Sequence, residues 1–271
     1  PKDPSTVVSE KAVVIRGATV RTCENDGILN DTDVLLYKGK IAAVGSRLNV
    51  NEFIGANIET EEINGRGMHL TPGIIDEHSH IAIERGVNEA NQASSAEGWI
   101  GHSLNSEDVN IYRQLAGGVT CAQLLHGSAN PIGGQSAVIK FRWGSKPTDL
   151  LYENATSSIK FALGENVKQS NWGDAHKIRF PQSRMGVEQV FYDNFIRARE
   201  YGASVVKYRH DLSNTSRRDL KLGKGPLKPR YDIELETLLQ ILREERFVTC
   251  HSYRQDEINM LMHVADSMKF R

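Results

Sequence analysis

The stretch LTPGIIDEHSHI, residues 70–81, decides how the rest of the chain is interpreted. Its Pro-Gly pair predicts a stiff turn, and the apolar run that follows favours a short buried strand. At the end of that run, Asp76, His78 and His80 are spaced two residues apart. Because alternate side chains of a strand share one face, all three are predicted to point to the same side.

Two imidazoles side by side at the end of a strand suit one divalent metal, since neutral histidine nitrogen is a natural zinc ligand. A bare HxH spacing also occurs at polar strand ends whose histidines are simply solvated. Here a Pro-Gly turn, two isoleucines and an aspartate precede the histidines. That context favours the metal, and we expect His78 and His80 to be ligands.

The same run resembles the first-strand signature of the amidohydrolase superfamily, metal-dependent hydrolases built on a (β/α)8 barrel. Within it, the chain is most similar to the imidazolonepropionase-like and prolidase-like branch. Further phrases similar to that branch are GGVTCAQLLHGSANPIGGQ, IKFALGENVKQSNWGD and FVTCHSYRQDEI, residues 117–135, 159–174 and 247–258. The resemblance extends from about Val13 onward and indicates the superfamily, not a substrate.

Composition excludes several classes of protein. The chain has 271 residues, enough for one large or two modest domains, and 33 Lys+Arg balance 34 Asp+Glu. Since no basic stripe and no membrane-length apolar run occurs, we expect no nucleic-acid partner and no membrane partner. The three cysteines are too far apart for a disulfide framework or a CxxC zinc motif. The first ten residues lack a signal-peptide pattern, so a soluble cytoplasmic chain and one exported after signal removal both remain open.

The resemblance implies an α/β fold, a TIM-type (β/α)8 barrel with a small N-terminal β-sandwich. We assign residues 1–67 to the β-sandwich part and residues 68–271 to the N-terminal portion of the barrel. Lys38-Gly39-Lys40 predicts a tight hairpin in which Gly39 takes a positive φ. The remaining elements predicted are strands at 119–125, 137–141, 157–163 and 247–250, helices at 106–116, 186–201, 232–246 and 256–269, a turn at 130–135, and an exposed excursion at 209–230.

Barrel size gives a further expectation. A (β/α)8 barrel typically needs roughly 250 residues, more than follow Leu70, and the pattern supplies only the first five or so βα units. We therefore expect either a C-terminally truncated hydrolase or one whose missing part is on another chain, with a partial site that is inactive alone. The aspartate that serves as acid and base in the family is expected beyond the C-terminus.

A strand that ends in His251 is where a third imidazole ligand would lie if it shares an edge with His78 and His80. The resemblance implies that those two hold the more buried metal ion and that His251 holds the more exposed one. It also implies that Lys160, in the strand 157–163, is carboxylated and bridges the two ions. The cofactor is then one or two divalent ions, with zinc expected. Glu165 is the alternative acidic ligand.

The other candidates concern the substrate. His126 follows the predicted strand 119–125 and Gln135 lies in the predicted turn before the strand 137–141, and His126 is as well suited to holding its own loop in place. Tyr253 and Arg254 could hold a substrate carboxylate, since arginine offers a planar fork of donors. Lys207 is a weaker rival for the bridging position.

The resemblance implies hydrolysis of a C–N bond in an amide, cyclic amide or dipeptide by a metal-activated water. The substrate is a small molecule, and a homo-oligomer is compatible with the sequence. A single-metal deaminase of the same superfamily and a non-catalytic assembly protein are the alternative functions.

Overall fold

Residues 11–74 and Ile75–Arg271 form two separate units in the computed structural model. The structure describes residues 11–271. Residues 1–10, predicted as a polar lead-in without a signal peptide, lie outside that part. The sequence-based division between residues 67 and 68 falls within the first unit.

One mixed sheet makes up most of the first unit. Its order is β3-β2-β1-β4, and β5 also pairs with β1. The elements are β1 (Ala12–Arg21), β2 (Ile28–Tyr37), β3 (Lys40–Gly45), the short helix α1 (Asn51–Ile54), β4 (Thr60–Asn64) and β5 (His69–Leu70). Lys38 and Gly39 join β2 to β3 with φ values of 51° and 72°, as a two-residue hairpin whose turn matches strand twist requires. This confirms the predicted hairpin, whereas the β-sandwich remains a prediction.

Two three-stranded sheets lie in the second unit, β6-β7-β9 and β11-β10-β8. Their strands are β6 (Ile74–Ser79), β7 (Val119–Leu124), β8 (Ile132–Gln135), β9 (Ala137–Lys140), β10 (Ser158–Ala162) and β11 (Phe247–His251). β10 and β11 are parallel, but β8 is antiparallel to β10, and β9 is antiparallel to β7. Within residues 11–271 the strands do not close into the predicted barrel, although the mixed α/β class is as expected.

The predicted turn at 130–135 is wrong, because this stretch contains β8. Gly133 marks a close approach instead of a turn. A Cβ on Gly133 would lie 2.8 Å from His126 Nδ1 and 2.9 Å from the Lys160 carbonyl oxygen. Glycine is needed there so that the backbone can pass next to the imidazole ring.

The helices of the second unit cover its core. They are α2 (Val109–Ala116), α3 (Pro147–Leu150), α4 (Arg184–Asn214), α5 (Arg217–Lys221), α6 (Ile233–Leu242) and α7 (Gln255–Met268). Buried side chains from β10, α4, α6 and α7 form the larger apolar cluster, in which the rings of Phe161 and Phe191 lie 5.4 Å apart. This packing holds β10 and β11 side by side. In the described part of the chain, no helix is both long enough and apolar enough to cross a membrane.

Candidate metal centre

The end of β6 brings two imidazoles together. His78 lies in this strand and His80 directly follows its last residue, Ser79. Their Nε2 atoms are 3.3 Å apart, and the rings are nearly perpendicular with centroids 5.1 Å apart. Two nitrogens bound at about 2.0–2.1 Å to one tetrahedral zinc ion would be roughly 3.3–3.4 Å apart. The pair therefore has the spacing that a shared ion requires.

A backbone carbonyl fixes the orientation of one of these rings. His80 Nδ1 lies 2.9 Å from the carbonyl oxygen of Leu125. A carbonyl only accepts, so Nδ1 carries the proton and Nε2 keeps its lone pair. Metal-binding histidines are commonly held in this way by a second hydrogen bond.

Lys160 reaches the same place from β10. Its side chain is almost wholly buried, with 2% exposed, and its Nζ lies 3.4 Å from His78 Nε2. No carboxylate of residues 11–271 forms an ion pair with it. Burial lowers the pKa of the Lys160 amine, an effect opposed only by nearby Cys250. The environment thus favours the neutral amine, which is the nucleophilic form.

His251 lies at the end of β11, beside β10. The parallel register pairs Lys160 with Thr249 and Ala162 with His251. His78, Lys160 and His251 line one cavity of about 400 Å³. The buried Nε2 of His251 has no hydrogen-bond partner, which leaves a nitrogen available as a ligand.

Across the described residues, no three His, Cys, Asp or Glu side chains are gathered closely enough to hold one ion by themselves. His78 and His251 line one cavity and His80 contacts His78, but the three histidines do not form one compact cluster. Lys160 links the His78/His80 pair to His251: it contacts His78 directly, and its strand, β10, pairs with the strand that ends in His251.

The electrostatics of the cavity keep two imidazoles neutral. Burial lowers the pKa of His78, and the nearby Lys160 and His80 lower it further. The pKa of His251 is lowered by burial and then by Lys160. Neutral rings keep the lone pairs that a metal ligand needs.

Glu165, the alternative acidic ligand, is bound to other partners. Its carboxylate accepts from Lys168 at 2.7 Å and from Asn171 at 2.5 Å, and it also pairs with Arg184. These contacts, with the Lys168 hydrogen bond largest, lower the pKa of Glu165 to about 2. The carboxylate is therefore ionised and committed to cations of its own loop and of α4.

Lys207, the weaker rival for the bridging position, is not in a strand. It lies on the exposed part of α4, where its Nζ pairs with Asp211 at 2.6 Å.

His126 and Gln135 are held by protein groups. His126 Nε2 accepts from the Glu89 amide at 2.8 Å, and its Nδ1 donates to the Gly127 carbonyl at 2.8 Å. The ring is buried, and its hydrogen bonds hold the loop after β6 at Glu89 and the loop after β7 at Gly127. Gln135 donates to the Ala96 carbonyl at 2.9 Å, outside the cavity of the histidines.

Of the two predicted carboxylate-binding residues, only one contacts the centre. The Tyr253 ring lies edge-on to His251, with centroids 5.6 Å apart, and its hydroxyl accepts from the Glu165 amide at 2.6 Å. The guanidinium of Arg254 faces Asp256 instead, with hydrogen bonds of 3.0 and 2.9 Å.

Several residues of the site were not found by sequence reasoning. Gln123 and Thr249 line the cavity, and each is a polar residue within a short, mainly apolar strand, which is a usable sequence signal. Asp108 holds the loop after the histidines, since its carboxylate accepts from the Ala82 amide at 2.7 Å. The Leu125 carbonyl has no sequence signal at all, because every residue has a carbonyl.

Two known proteins have sequences similar to that of this chain. No family model matches the chain. It is 28% identical over 259 residues to the amidohydrolase tasK of Hapsidospora irregularis, covering 88% of this chain and 25% of that protein. It is 37% identical over 67 residues to the imidazolonepropionase of Idiomarina loihiensis, covering 25% of this chain and 15% of that enzyme.

Among solved structures, an amidohydrolase from Thermotoga maritima MSB8 is similar to the chain as a whole. The TM-score is 0.76 at 27% sequence identity, and the match covers 96% of this chain and 63% of that one. The chain therefore spans about a quarter of the first curated relative and under two thirds of this solved structure.

Proposed function

Since the chain belongs to the amidohydrolase superfamily, we propose that it is part of a metal-dependent hydrolase that cleaves a C–N bond in an amide, cyclic amide or dipeptide. The observation that carries the proposal is the 3.3 Å spacing of His78 Nε2 and His80 Nε2. Because the chain matches part of each relative, the proposal concerns the activity of the whole protein.

The residues present fit one or two divalent ions, with zinc the expected metal. His78 and His80 would hold the first ion through Nε2, and His251, whose Nε2 has no partner, would hold the second. When bound, such ions lower the pKa of a water molecule and polarise the carbonyl to be cleaved.

The chain's own groups prepare this site in two ways. The Leu125 carbonyl holds the His80 ring in the tautomer that presents Nε2. Lys160, whose pKa is lowered by burial, would attack carbon dioxide through the neutral form of Nζ, forming one N–C bond and releasing one proton. The resulting carbamate would carry a negative charge and two oxygen ligands into the cavity that His78 and His251 also line.

Tyr253 supports the substrate side of the proposal. Its ring packs against His251, and its hydroxyl fixes the loop at Glu165. Arg254 would need to leave Asp256 before its guanidinium could bind a substrate carboxylate.

The test is metal content per chain, measured together with hydrolysis of dipeptides and cyclic amides. We expect bound zinc that is lost in H78A and H80A and retained in H263A, which removes an exposed histidine of α7. Unchanged metal in H80A would refute the proposal. One ion per chain with unmodified Lys160 would favour a deaminase, and a metal-free stable oligomer would favour an assembly protein.

A further inference from the structure

Helix α4 extends well beyond the core of its unit. Its buried residues end at Gly202, but the helix continues for twelve residues to Asn214, about 18 Å at 1.5 Å per residue. The chain returns to the core only where α6 begins at Ile233. We call residues 203–231, which include α5, the arm.

The arm concentrates positive charge. It contains eight lysines and arginines and two acidic residues, a net charge of +6 in a chain whose total is −1. The rest of the chain therefore carries −7, from −1 minus +6. All eight basic side chains are exposed. They are Lys207, Arg209, Arg217, Arg218, Lys221, Lys224, Lys228 and Arg230.

Little of this charge is neutralised within the molecule. Lys207 pairs with Asp211, and the carboxylate of the other acid, Asp219, accepts a hydrogen bond from the Ser216 hydroxyl at 2.6 Å. No carboxylate of the described residues forms an ion pair with the remaining seven basic side chains. Positive charges left unpaired and close together favour an anionic partner.

Leucines are exposed among these charges. Leu227 is 94% exposed and Leu222 is 58% exposed, and Leu222 lies with Arg217, Arg218 and Lys221 around one shallow depression. Basic side chains mixed with exposed apolar ones are typical of segments that lie at the surface of an anionic membrane. An acidic polypeptide would satisfy the charges but would leave Leu227 without an apolar partner.

We propose that the arm binds the headgroup region of a membrane containing anionic lipid, with its basic side chains on the headgroups and Leu222 and Leu227 at the acyl boundary. The expectation of no membrane partner came from the balanced total charge and the lack of a spanning segment. A peripheral contact needs neither, because it depends on local charge and a few exposed apolar side chains.

The experiment is cosedimentation of the full chain with vesicles of equimolar phosphatidylserine and phosphatidylcholine, and with pure phosphatidylcholine vesicles. We expect binding to the first only, weakened by salt because these charges are exposed. R217Q/R218Q/K221Q/K224Q should weaken it by at least about tenfold. L222S/L227S should weaken it too, with less effect on its salt dependence.

The matched control, R21Q/R113Q/K146Q/R199Q, removes four exposed charges outside the arm and should bind like the unmodified chain. Far-UV circular dichroism of each variant separates lost binding from lost folding. Equal binding to both vesicles, an equal loss in the control, or binding to poly-glutamate or RNA but not to the anionic vesicles would overturn the proposal.

Discussion

Replacing Lys160 with methionine should stabilise the metal-free chain while reducing the metal that it binds. The side chain is 2% exposed, and the nearest partner recorded for Nζ is His78 Nε2 at 3.4 Å, a long hydrogen bond. A buried polar group without a good partner costs about 1–3 kcal/mol, and methionine fills similar space without a polar group. We therefore expect the free energy of unfolding of K160M to rise by about 1–3 kcal/mol in the presence of a chelator.

The increase in the free energy of unfolding of K160M should depend on pH. Because burial lowers the pKa of Lys160 from its ordinary value of 10.5, this lysine binds a proton more readily in the unfolded chain than in the folded chain as the pH falls below 10.5. The free energy of unfolding of the unmodified chain therefore decreases as the pH falls through that range. The extra stability of K160M should be larger at neutral pH than near pH 10.5.

Urea unfolding at both pH values measures this difference. K207M is the matched control, since its lysine is exposed and paired with Asp211 four residues away, and because exposed ion pairs contribute little, its free energy of unfolding should be nearly unchanged. A destabilised but folded K160M, or one that keeps its full metal content, would refute the reasoning.

Three further changes test the surroundings of the centre. His126→Ala should lower the free energy of unfolding by about 1–3 kcal/mol, because it removes the two hydrogen bonds of a buried ring. Burial also lowers the pKa of His126. As the pH falls below about 6.5, the unmodified chain should therefore lose stability more steeply than the variant does. Asp108→Ala should cost about 1–2 kcal/mol, as it removes the cap of α2 and the acceptor for the Ala82 amide, and Asp108→Asn should recover part of this loss in thermal unfolding. Glu165→Gln should leave the metal content unchanged, unlike Lys160→Met, and a loss of metal in Glu165→Gln would restore that carboxylate as a ligand.

Sequence reasoning located most strands of the second unit, since β7, β9, β10 and β11 are short apolar runs bounded by polar residues. It failed for β8, because the glycines that let Gly133 approach His126 look like a turn in sequence. Sequence reasoning also did not predict that β8 is antiparallel to β10 and β9 to β7, because a local pattern does not contain strand direction. The sequence pattern ends α4 too early, because Gly202 looks like a stop signal. In the structure Gly202 lies inside α4 and packs against Leu239 of α6.

At the candidate site, the two-residue spacing of His78 and His80 was enough to predict that their rings meet. The burial of Lys160 and the free Nε2 of His251 depend on packing between distant segments, which no local pattern contains. The same is true of His126, whose hydrogen bonds to Glu89 and Gly127 arise only in the fold.

X-ray absorption at the zinc edge, on the chain loaded with one equivalent of zinc, tests the shared ion most directly. The arrangement of His78 and His80 predicts at least two imidazole nitrogens at about 2.0–2.1 Å, with at least one lost in H80A and none lost in H263A. A spectrum without imidazole ligands, or one that H80A leaves unchanged, would contradict the assignment of this pair as the metal site.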